Sequence, residues 1–154
     1  MSCAPFVQTP VEVAKKMIQL ADLKPGQVLF DLGAGDGRLV IMAAQEAGAS
    51  AVGVEMRDDL VERARSEIKK LNLEGKVRVI HGDLFNVDLK EADAVTLYLT
   101  TSGNERLRPK LETELKKGAK VISHDFKVGN WKPSVVYNEL LGHTIYAYQI
   151  GDEI

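Results

Sequence analysis

The chain has 154 residues with 45% hydrophobic and 27% charged side chains, which predicts one globular domain over residues 1–154. Its 20 basic and 22 acidic residues give a net charge of −2, so nucleic acid is not expected as the main partner. Cys3 is the single cysteine, which excludes a disulfide within the chain. The first residues lack signal-peptide character and no apolar run has the length of a membrane span, so we expect a cytoplasmic protein, and a monomer.

The predicted elements alternate between helix and strand. Thr9-Pro10-Val11-Glu12 has the pattern of a capping box, with Thr9 as the cap of a helix over about 10–21. Apolar runs then predict strands, and apolar residues at helical spacing predict helices. The predicted strands cover 27–31, 50–55, 77–81, 92–99 and 120–124, and the predicted helices cover 38–47 and the stretches that begin at Asp58 and at Ser102.

The helix that begins near Ser102 has three local signals. Ser102-Gly103-Asn104-Glu105 is a second capping-box pattern, Pro109 predicts a kink or a late start, and Gly118 is the predicted end cap. The last third of the chain changes pattern, because two β-rich runs, 134–139 and 144–150, flank a turn and predict a hairpin. The elements together predict an α/β fold, a doubly wound, mostly parallel, Rossmann-like sheet over 27–154 that ends in an antiparallel hairpin.

One apolar strand ends at an acid and continues into three alternating glycines, Asp31-Leu32-Gly33-Ala34-Gly35-Asp36-Gly37-Arg38. Glycines let the backbone approach a ligand, and the helix that follows offers unpaired N–H groups. Arg38 stands where a dinucleotide fingerprint has its third glycine, and the lysine of a P-loop is missing. The carboxylates of Asp31 and Asp36 would repel a pyrophosphate and suit a ligand with an amino group and a positive centre.

This segment resembles the first motif of class I S-adenosylmethionine-dependent methyltransferases, and Gly53-Val54-Glu55 and Gly82-Asp83-Leu84 resemble the family's next two strand ends. The resemblance implies S-adenosyl-L-methionine as cofactor, with its methionine part on the glycine loop. It also implies that Glu55 accepts hydrogen bonds from both ribose hydroxyls and that Asp83 and Leu84 lie beside the adenine. The implied cofactor-binding residues are Thr9, Asp31, Gly33, Ala34, Gly35, Gly37, Glu55, Asp83 and Leu84.

Features along nearly the whole chain are similar to the small protein lysine methyltransferases of archaea and their mitochondrial relatives, and more distantly to the non-SET histone lysine methyltransferases. They are Thr9-Pro10, the glycine loop, Tyr98-Leu99, Ser123-His124-Asp125-Phe126 and Trp131. Enzymes that methylate adenine or amide nitrogens have an Asn/Asp-Pro-Pro-aromatic motif, whereas this chain has Leu97-Tyr98-Leu99-Thr100-Thr101. The resemblance implies methyl transfer to lysine ε-amines of proteins, with broad specificity, and makes the enzyme's own exposed lysines further acceptors.

Tyr98 is the candidate catalytic residue, because it ends the predicted fourth strand and can orient an amine with its hydroxyl or its ring face. The alternative for Tyr98 is a packing role. Asp31 could instead cap a turn, Glu55 could be an ordinary exposed carboxylate, and Asp83 could serve only as a turn residue.

Two other functions are compatible with the same sequence patterns. One is methylation of RNA or of a small molecule with the same cofactor, and the other is a non-catalytic module that binds S-adenosylmethionine. His81, His124 and His143 lack the spacing of metal ligands, so no metal site is predicted.

Overall fold

The structure is a computed structural model that describes residues 7–152, so Cys3 and the other first residues lie outside the described part. Helices and strands alternate through most of this range. In chain order they are α1 (Val11–Ala21), β1 (Val28–Leu32), α2 (Arg38–Ala47), β2 (Ser50–Glu55), α3 (Asp58–Lys70), β3 (Val77–His81), a short 3-10 helix (Leu84–Asn86), β4 (Ala94–Leu97), α4 (Thr101–Glu114), β5 (Lys120–His124), β6 (Val135–Leu140) and β7 (His143–Gln149).

The seven strands form one sheet in the order β3-β2-β1-β4-β5-β7-β6. The first five strands are parallel, whereas β7 runs antiparallel to both β5 and β6. This confirms the predicted doubly wound α/β sheet and its final hairpin. The strand order reverses at β1, which lies between β2 and β4, and ligands of such sheets bind outside the carboxyl ends of the strands at this point.

Buried apolar side chains form a cluster on each face of the sheet. One cluster contains Met17 of α1, Val40 of α2 and Ala64 of α3, and the other contains Leu107 and Leu111 of α4. Because both faces are covered, the central strands are apolar along their length. Within residues 7–152, no helix combines the length and the apolar character that a bilayer span needs.

Several predicted bounds are confirmed without change, namely those of α2, β2, β3 and β5. The first strand lies one residue later than predicted, and the fourth strand is shorter than the predicted 92–99. Ala92 is excluded from β4 because its N–H donates to the carbonyl of Leu89 in a turn. Tyr98 follows the strand instead of ending it, because the chain leaves the sheet after Leu97 to reach the cap of α4.

The predicted capping role of Thr9 is wrong. Pro10 occupies the N-cap position of α1, and no side chain caps this helix. The Thr9 hydroxyl faces another element, since its Oγ1 lies 3.5 Å from Nδ1 of His124 at the end of β5. Thr9 therefore links the start of the chain to the edge of the sheet where the strands end.

The predicted caps of α4 are also wrong. Thr100 is the N-cap, with Oγ1 accepting a hydrogen bond from the Gly103 N–H at 3.0 Å, so Ser102 lies inside the first turn. The helix contains Pro109 and has no late start. It ends at Glu114, and Gly118 instead occupies the turn before β5, where its N–H donates to the carbonyl of Ile150.

Candidate active site

The turn between β1 and α2 folds back sharply at the switch point of the sheet. Gly33, Gly35 and Gly37 have φ values of 89°, 57° and 88°, which side chains with a Cβ rarely adopt. The N–H groups of Gly33 and Ala34 both donate to the carbonyl of Val54 at 2.9 Å. The glycine loop is therefore held against the end of β2 in a conformation that depends on its glycines.

Glu55, the last residue of β2, organises this loop and is only 9% exposed. Its Oε1 accepts a hydrogen bond from the Gly35 N–H at 2.8 Å, and its Oε2 accepts from the N–H groups of Met56 and Arg57, each at 3.0 Å. A carboxylate has about four acceptor positions. Three of them are used by these backbone donors, so about one is left for a ligand. Accepting from both hydroxyls of a ribose requires Glu55 to release a backbone donor.

Asp31 is a second buried carboxyl group at the site, with 4% of its surface exposed. Burial raises the pKa of Asp31 to about 7, and the nearby charges of Glu55 and Asp36 add to this effect. The Thr96 hydroxyl donates a hydrogen bond to Oδ1 of Asp31 at 2.9 Å and opposes the shift. A cationic ligand beside Asp31 would favour its ionised form, so the site is suited to positive charge.

A cavity of about 820 Å³, including its open mouth, lies over the carboxyl ends of β1, β2 and β4. Three carboxylates line it, those of Asp31, Asp36 and Glu55. Most of the residues predicted for the site share this cavity. They are Thr9, Asp31, Gly33, Ala34, Gly35, Glu55, Leu84 and Tyr98.

Two predicted residues lie outside the lining of this cavity. Gly37 precedes the first turn of α2, where an added Cβ would lie 3.1 Å from the Cβ of Ala64 in α3. Asp83 caps the short 3-10 helix, because its Oδ1 accepts a hydrogen bond from the Phe85 N–H at 2.9 Å. The neighbouring Leu84 reaches the cavity instead.

Gln8 and Arg38 also line the cavity, although the sequence did not predict them as binding residues. Gln8 donates a hydrogen bond from Nε2 to Oδ2 of Asp36 at 3.2 Å, and both line the cavity. Arg38 donates to the carbonyl of Thr9 at 2.6 Å and lies 3.7 Å from the Asp36 carboxylate. The position of Asp36 within the glycine loop indicated that it faces a ligand, whereas no local sequence pattern indicates a binding role for Gln8.

Tyr98 lines the same cavity on the β4 side and lies in an aromatic stack. Its ring centroid is 3.8 Å from that of His124, and the two planes are inclined by 31°. Phe126 also stacks with Tyr98, with ring centroids 6.4 Å apart. Burial raises the pKa of Tyr98, with the charge of Asp125 as a smaller cause, so its hydroxyl is protonated at neutral pH.

His124 is completely buried at the end of β5 and contacts His143 of β7. Nε2 of His124 lies 2.8 Å from Nδ1 of His143, within hydrogen-bond distance. Burial lowers the pKa of His124 to about 4, so its imidazole is neutral at pH 7. No local sequence pattern indicates this contact, because the two histidines come together only when β5 pairs with β7.

The lining of the cavity fits S-adenosylmethionine. The acidic side chains suit its sulfonium and amino groups, and the glycine loop permits close approach of its methionine part. Glu55 at the end of β2 keeps acceptor capacity for a sugar hydroxyl, and Leu84 offers an apolar contact for a base. The sheet order and this acidic glycine loop at its switch point define a class I S-adenosylmethionine-dependent methyltransferase.

The sequence model of the ANTKMT methyltransferase domain matches residues 31–135, and the chain belongs to this family. A protein-lysine N-methyltransferase of Saccharolobus islandicus (strain REY15A) is 40% identical over 96% of this chain and 94% of its own length. A crystal structure described as an RNA methyltransferase from Salinibacter ruber in complex with S-adenosyl-L-homocysteine is 46% identical, covers 96% of each chain and superposes with a TM-score of 0.92.

The chain is also similar to a longer vertebrate enzyme. The adenine nucleotide translocase lysine N-methyltransferase of Mus musculus is 32% identical over 95% of this chain, which spans 63% of that protein. The family match and these relatives confirm that the protein is a methyltransferase with S-adenosylmethionine as its cofactor.

Proposed function

We propose that this protein transfers methyl groups from S-adenosylmethionine to lysine ε-amines of protein substrates. The observation that carries the proposal is the wall formed by Tyr98 and the neutral His124 beside the acidic cofactor cavity. An aromatic face can hold an alkyl amine in either protonation state, through cation–π attraction or through apolar contact. The similarity to the Saccharolobus islandicus lysine methyltransferase over nearly the full chain supports this acceptor.

When bound, S-adenosylmethionine supplies a methyl group on a positively charged sulfur. A neutral lysine Nζ held beside Tyr98 would take this methyl group with its lone pair, and the electron pair of the broken C–S bond would stay on sulfur. The amine must be neutral for this step, and with a lysine pKa of about 10.4 its deprotonation at pH 7 costs roughly 4–5 kcal/mol. Desolvation against Tyr98 and the adjacent sulfonium charge both lower the amine pKa, and positioning in line supplies roughly 7–11 kcal/mol.

The proposed assignments of the cofactor follow from the geometry of the cavity wall. Residues 33–35 hold the methionine part, with Asp31 and Asp36 opposite its positive groups. Glu55 accepts a ribose hydroxyl, and Leu84 packs on the adenine. Asp83 lies outside the cavity lining, and we assign its Oδ2 to the adenine amine because its Oδ1 already accepts the Phe85 N–H. Thr9 contributes to the rim at the start of α1.

Broad specificity for protein substrates is supported by the short connections at this edge of the sheet. The chain passes from strand to helix within residues 33–37, 56–57 and 98–100. Among residues 7–152, no inserted segment between these elements covers the cavity mouth. A side chain on the surface of a large substrate can therefore reach Tyr98.

A labelling experiment tests the proposed acceptor directly. The purified protein is incubated with a cell lysate and methyl-labelled S-adenosylmethionine, and the products are digested separately with protease and with ribonuclease. We expect the label to follow the protease-sensitive fraction and to map to lysines by mass spectrometry. An excess of S-adenosylhomocysteine serves as the inhibited control, and label that follows the RNA fraction would overturn the assignment.

Methylation of RNA is the second candidate, favoured by the description of the Salinibacter ruber structure. The net charge of −2 argues against it, because RNA binding depends on basic surface that neutralises phosphates.

The same labelling experiment also reports self-methylation if the enzyme's own lysines are mapped. The cytoplasmic location and the monomeric state stay predictions.

A further inference from the structure

Three potential metal ligands converge at the edge of the sheet where β5 and β7 meet. Nε2 of His124, Nδ1 of His143 and Oδ2 of Asp125 face one another, and both histidine nitrogens lie 3.4 Å from the carboxylate oxygen. The two nitrogens are 2.8 Å apart. We propose that these three side chains form a binding site for a divalent transition metal, with zinc as the best match.

The separations match tetrahedral zinc. Zinc–nitrogen and zinc–oxygen bonds of about 2.0–2.1 Å at a tetrahedral angle place ligand atoms about 3.3 Å apart. Both contacts of Asp125 agree with this spacing, and they are long for charge-assisted hydrogen bonds, which are about 2.7–2.9 Å. The two imidazoles need to separate by about 0.5 Å to match it.

The outer contacts of the ligands hold them in this orientation. Oδ1 of Asp125 accepts a hydrogen bond from the Thr144 N–H at 2.9 Å, which directs Oδ2 toward the two imidazoles. Nδ1 of His124 lies 3.5 Å from the Thr9 hydroxyl, and a proton on Nδ1 leaves Nε2 free to bind metal. Metal sites use such outer partners to fix the tautomer and direction of each ligand.

The backbone of Asp125 lies in the left-handed region. Its φ is +66°, and a non-glycine residue in this region costs on the order of 1–3 kcal/mol. This conformation turns the side chain back between the two histidines. Strain of this kind persists where the surroundings fix it and is concentrated at functional sites.

Three protein ligands would leave the fourth tetrahedral position to water, and two of the three side chains are partly exposed to solvent. His124 is fully buried, whereas the side chains of Asp125 and His143 are 25% and 28% exposed. Metal would join the end of β5 to the start of β7 and fix the imidazole that stacks on Tyr98. The proposal concerns metal binding alone and does not depend on which substrate is methylated.

The test is zinc binding to tag-free, chelator-treated protein. Equilibrium dialysis against zinc chloride with elemental analysis is expected to give one zinc per chain, and cobalt is expected to give the visible absorption of tetrahedral Co²⁺. His143→Ala and Asp125→Asn are expected to weaken zinc affinity more than about 10-fold. Asparagine tolerates the positive φ and retains an oxygen for the Thr144 N–H, so Asp125→Asn preserves the local fold.

The matched control is His81→Ala. His81 also pairs with an aspartate, since its Nε2 lies 2.8 Å from Oδ1 of Asp58, but this pair has no third ligand in the described residues. His81→Ala is expected to bind zinc like the wild type. Absence of zinc from the wild type, or equal affinity in the wild type, His143→Ala and Asp125→Asn, would overturn the proposal and assign the cluster to proton sharing alone. Circular dichroism establishes that each variant is folded.

Discussion

The phenol ring of Tyr98 stacks on the imidazole of His124, with ring centroids 3.8 Å apart. Tyr98 follows β4, and His124 is the last residue of β5. These two strands are parallel neighbours, so both residues lie at the same edge of the sheet. His124 is buried behind Tyr98, and Tyr98 faces the cavity. The Tyr98 side of the cavity therefore has a wall that is supported from behind by β5.

Replacement of Tyr98 tests this wall. We expect Tyr98→Ala to lower kcat/KM for methyl transfer about 100-fold, because misplacing the amine by about 1 Å has a cost of this size. Tyr98→Phe removes the hydroxyl and keeps the ring, so it tests the contribution of the hydroxyl alone. The affinity for S-adenosylmethionine, measured by calorimetry, is expected to change little in either variant.

The control for Tyr98 is Tyr137→Ala, which removes a half-buried tyrosine of β6 that contacts Lys16 and lies outside the cavity lining. Full methyl transfer by both Tyr98 variants would rule out a catalytic role for this residue. A loss in Tyr98→Ala alone assigns the function to the ring, and an equal loss in both variants assigns it to the hydroxyl.

Glu55→Gln is expected to weaken S-adenosylmethionine binding roughly 10- to 100-fold. The amide keeps one acceptor oxygen but brings an NH₂ group against backbone N–H donors, and a lost hydrogen bond to a charged group costs about 1.5–3 kcal/mol. Calorimetric titration with the cofactor measures the effect. Unchanged affinity would show that the loop and the ribose do not depend on this carboxylate.

Asp31→Asn is expected to stabilise the cofactor-free protein at neutral and higher pH. The carboxyl group ionises near its ordinary value of 3.8 in the unfolded chain and near 7 in the folded protein. Unfolding therefore releases a proton between about pH 4 and pH 7, and the contribution of Asp31 to the free energy of unfolding falls as pH rises through this window. Above about pH 7 this contribution has fallen to its lowest value, and the free energy of unfolding is lower by an amount on the order of a few kcal/mol.

Urea denaturation of both proteins from pH 4 to pH 8 measures this difference. The stability of Asp31→Asn relative to the wild type is expected to increase across the window and then level off. The same variant is expected to bind S-adenosylmethionine more weakly, because it lacks a charge opposite the cationic ligand. A stability difference that is constant with pH would contradict the raised pKa.

Gly53→Ala tests how tightly β2 packs under the glycine loop. A Cβ at Gly53 would lie 2.6 Å from the Cβ of Ala34, so the loop must shift. We expect destabilisation by about 1–3 kcal/mol together with weaker cofactor binding. Thermal unfolding and calorimetry measure the two effects.

Two matched variants sharpen this prediction. Gly75→Ala introduces a Cβ with no atom within 4 Å and is expected to leave cofactor affinity unchanged. Adding Ala34→Gly to Gly53→Ala removes the clashing methyl group and is expected to restore part of the affinity. No recovery in the double variant would show that the defect arises elsewhere in β2.

Local sequence patterns were sufficient for the sheet and for much of the cofactor site. The bounds of β2 and β5 follow from apolar runs, because both faces of a parallel sheet are buried, and those of α2 follow from the glycines at its two caps. Glu55 and the glycine loop lie at the ends of successive predicted strands, so their proximity is expected for the parallel sheet that the sequence predicts. The caps predicted at Thr9 and Ser102 are wrong because Pro10 and Thr100 occupy the N-cap positions.

The cluster of His124, Asp125 and His143 behind Tyr98 was decided by tertiary structure. His124 and His143 are 19 residues apart, and the antiparallel register of β5 with β7 sets their contact. Asp125 contacts both of them through Oδ2, while its Oδ1 accepts from the Thr144 N–H of the paired strand β7. Hydrophobic periodicity specifies which residues are buried, whereas strand pairing specifies which buried polar side chains meet, and that pairing is fixed by long-range packing that no local pattern contains.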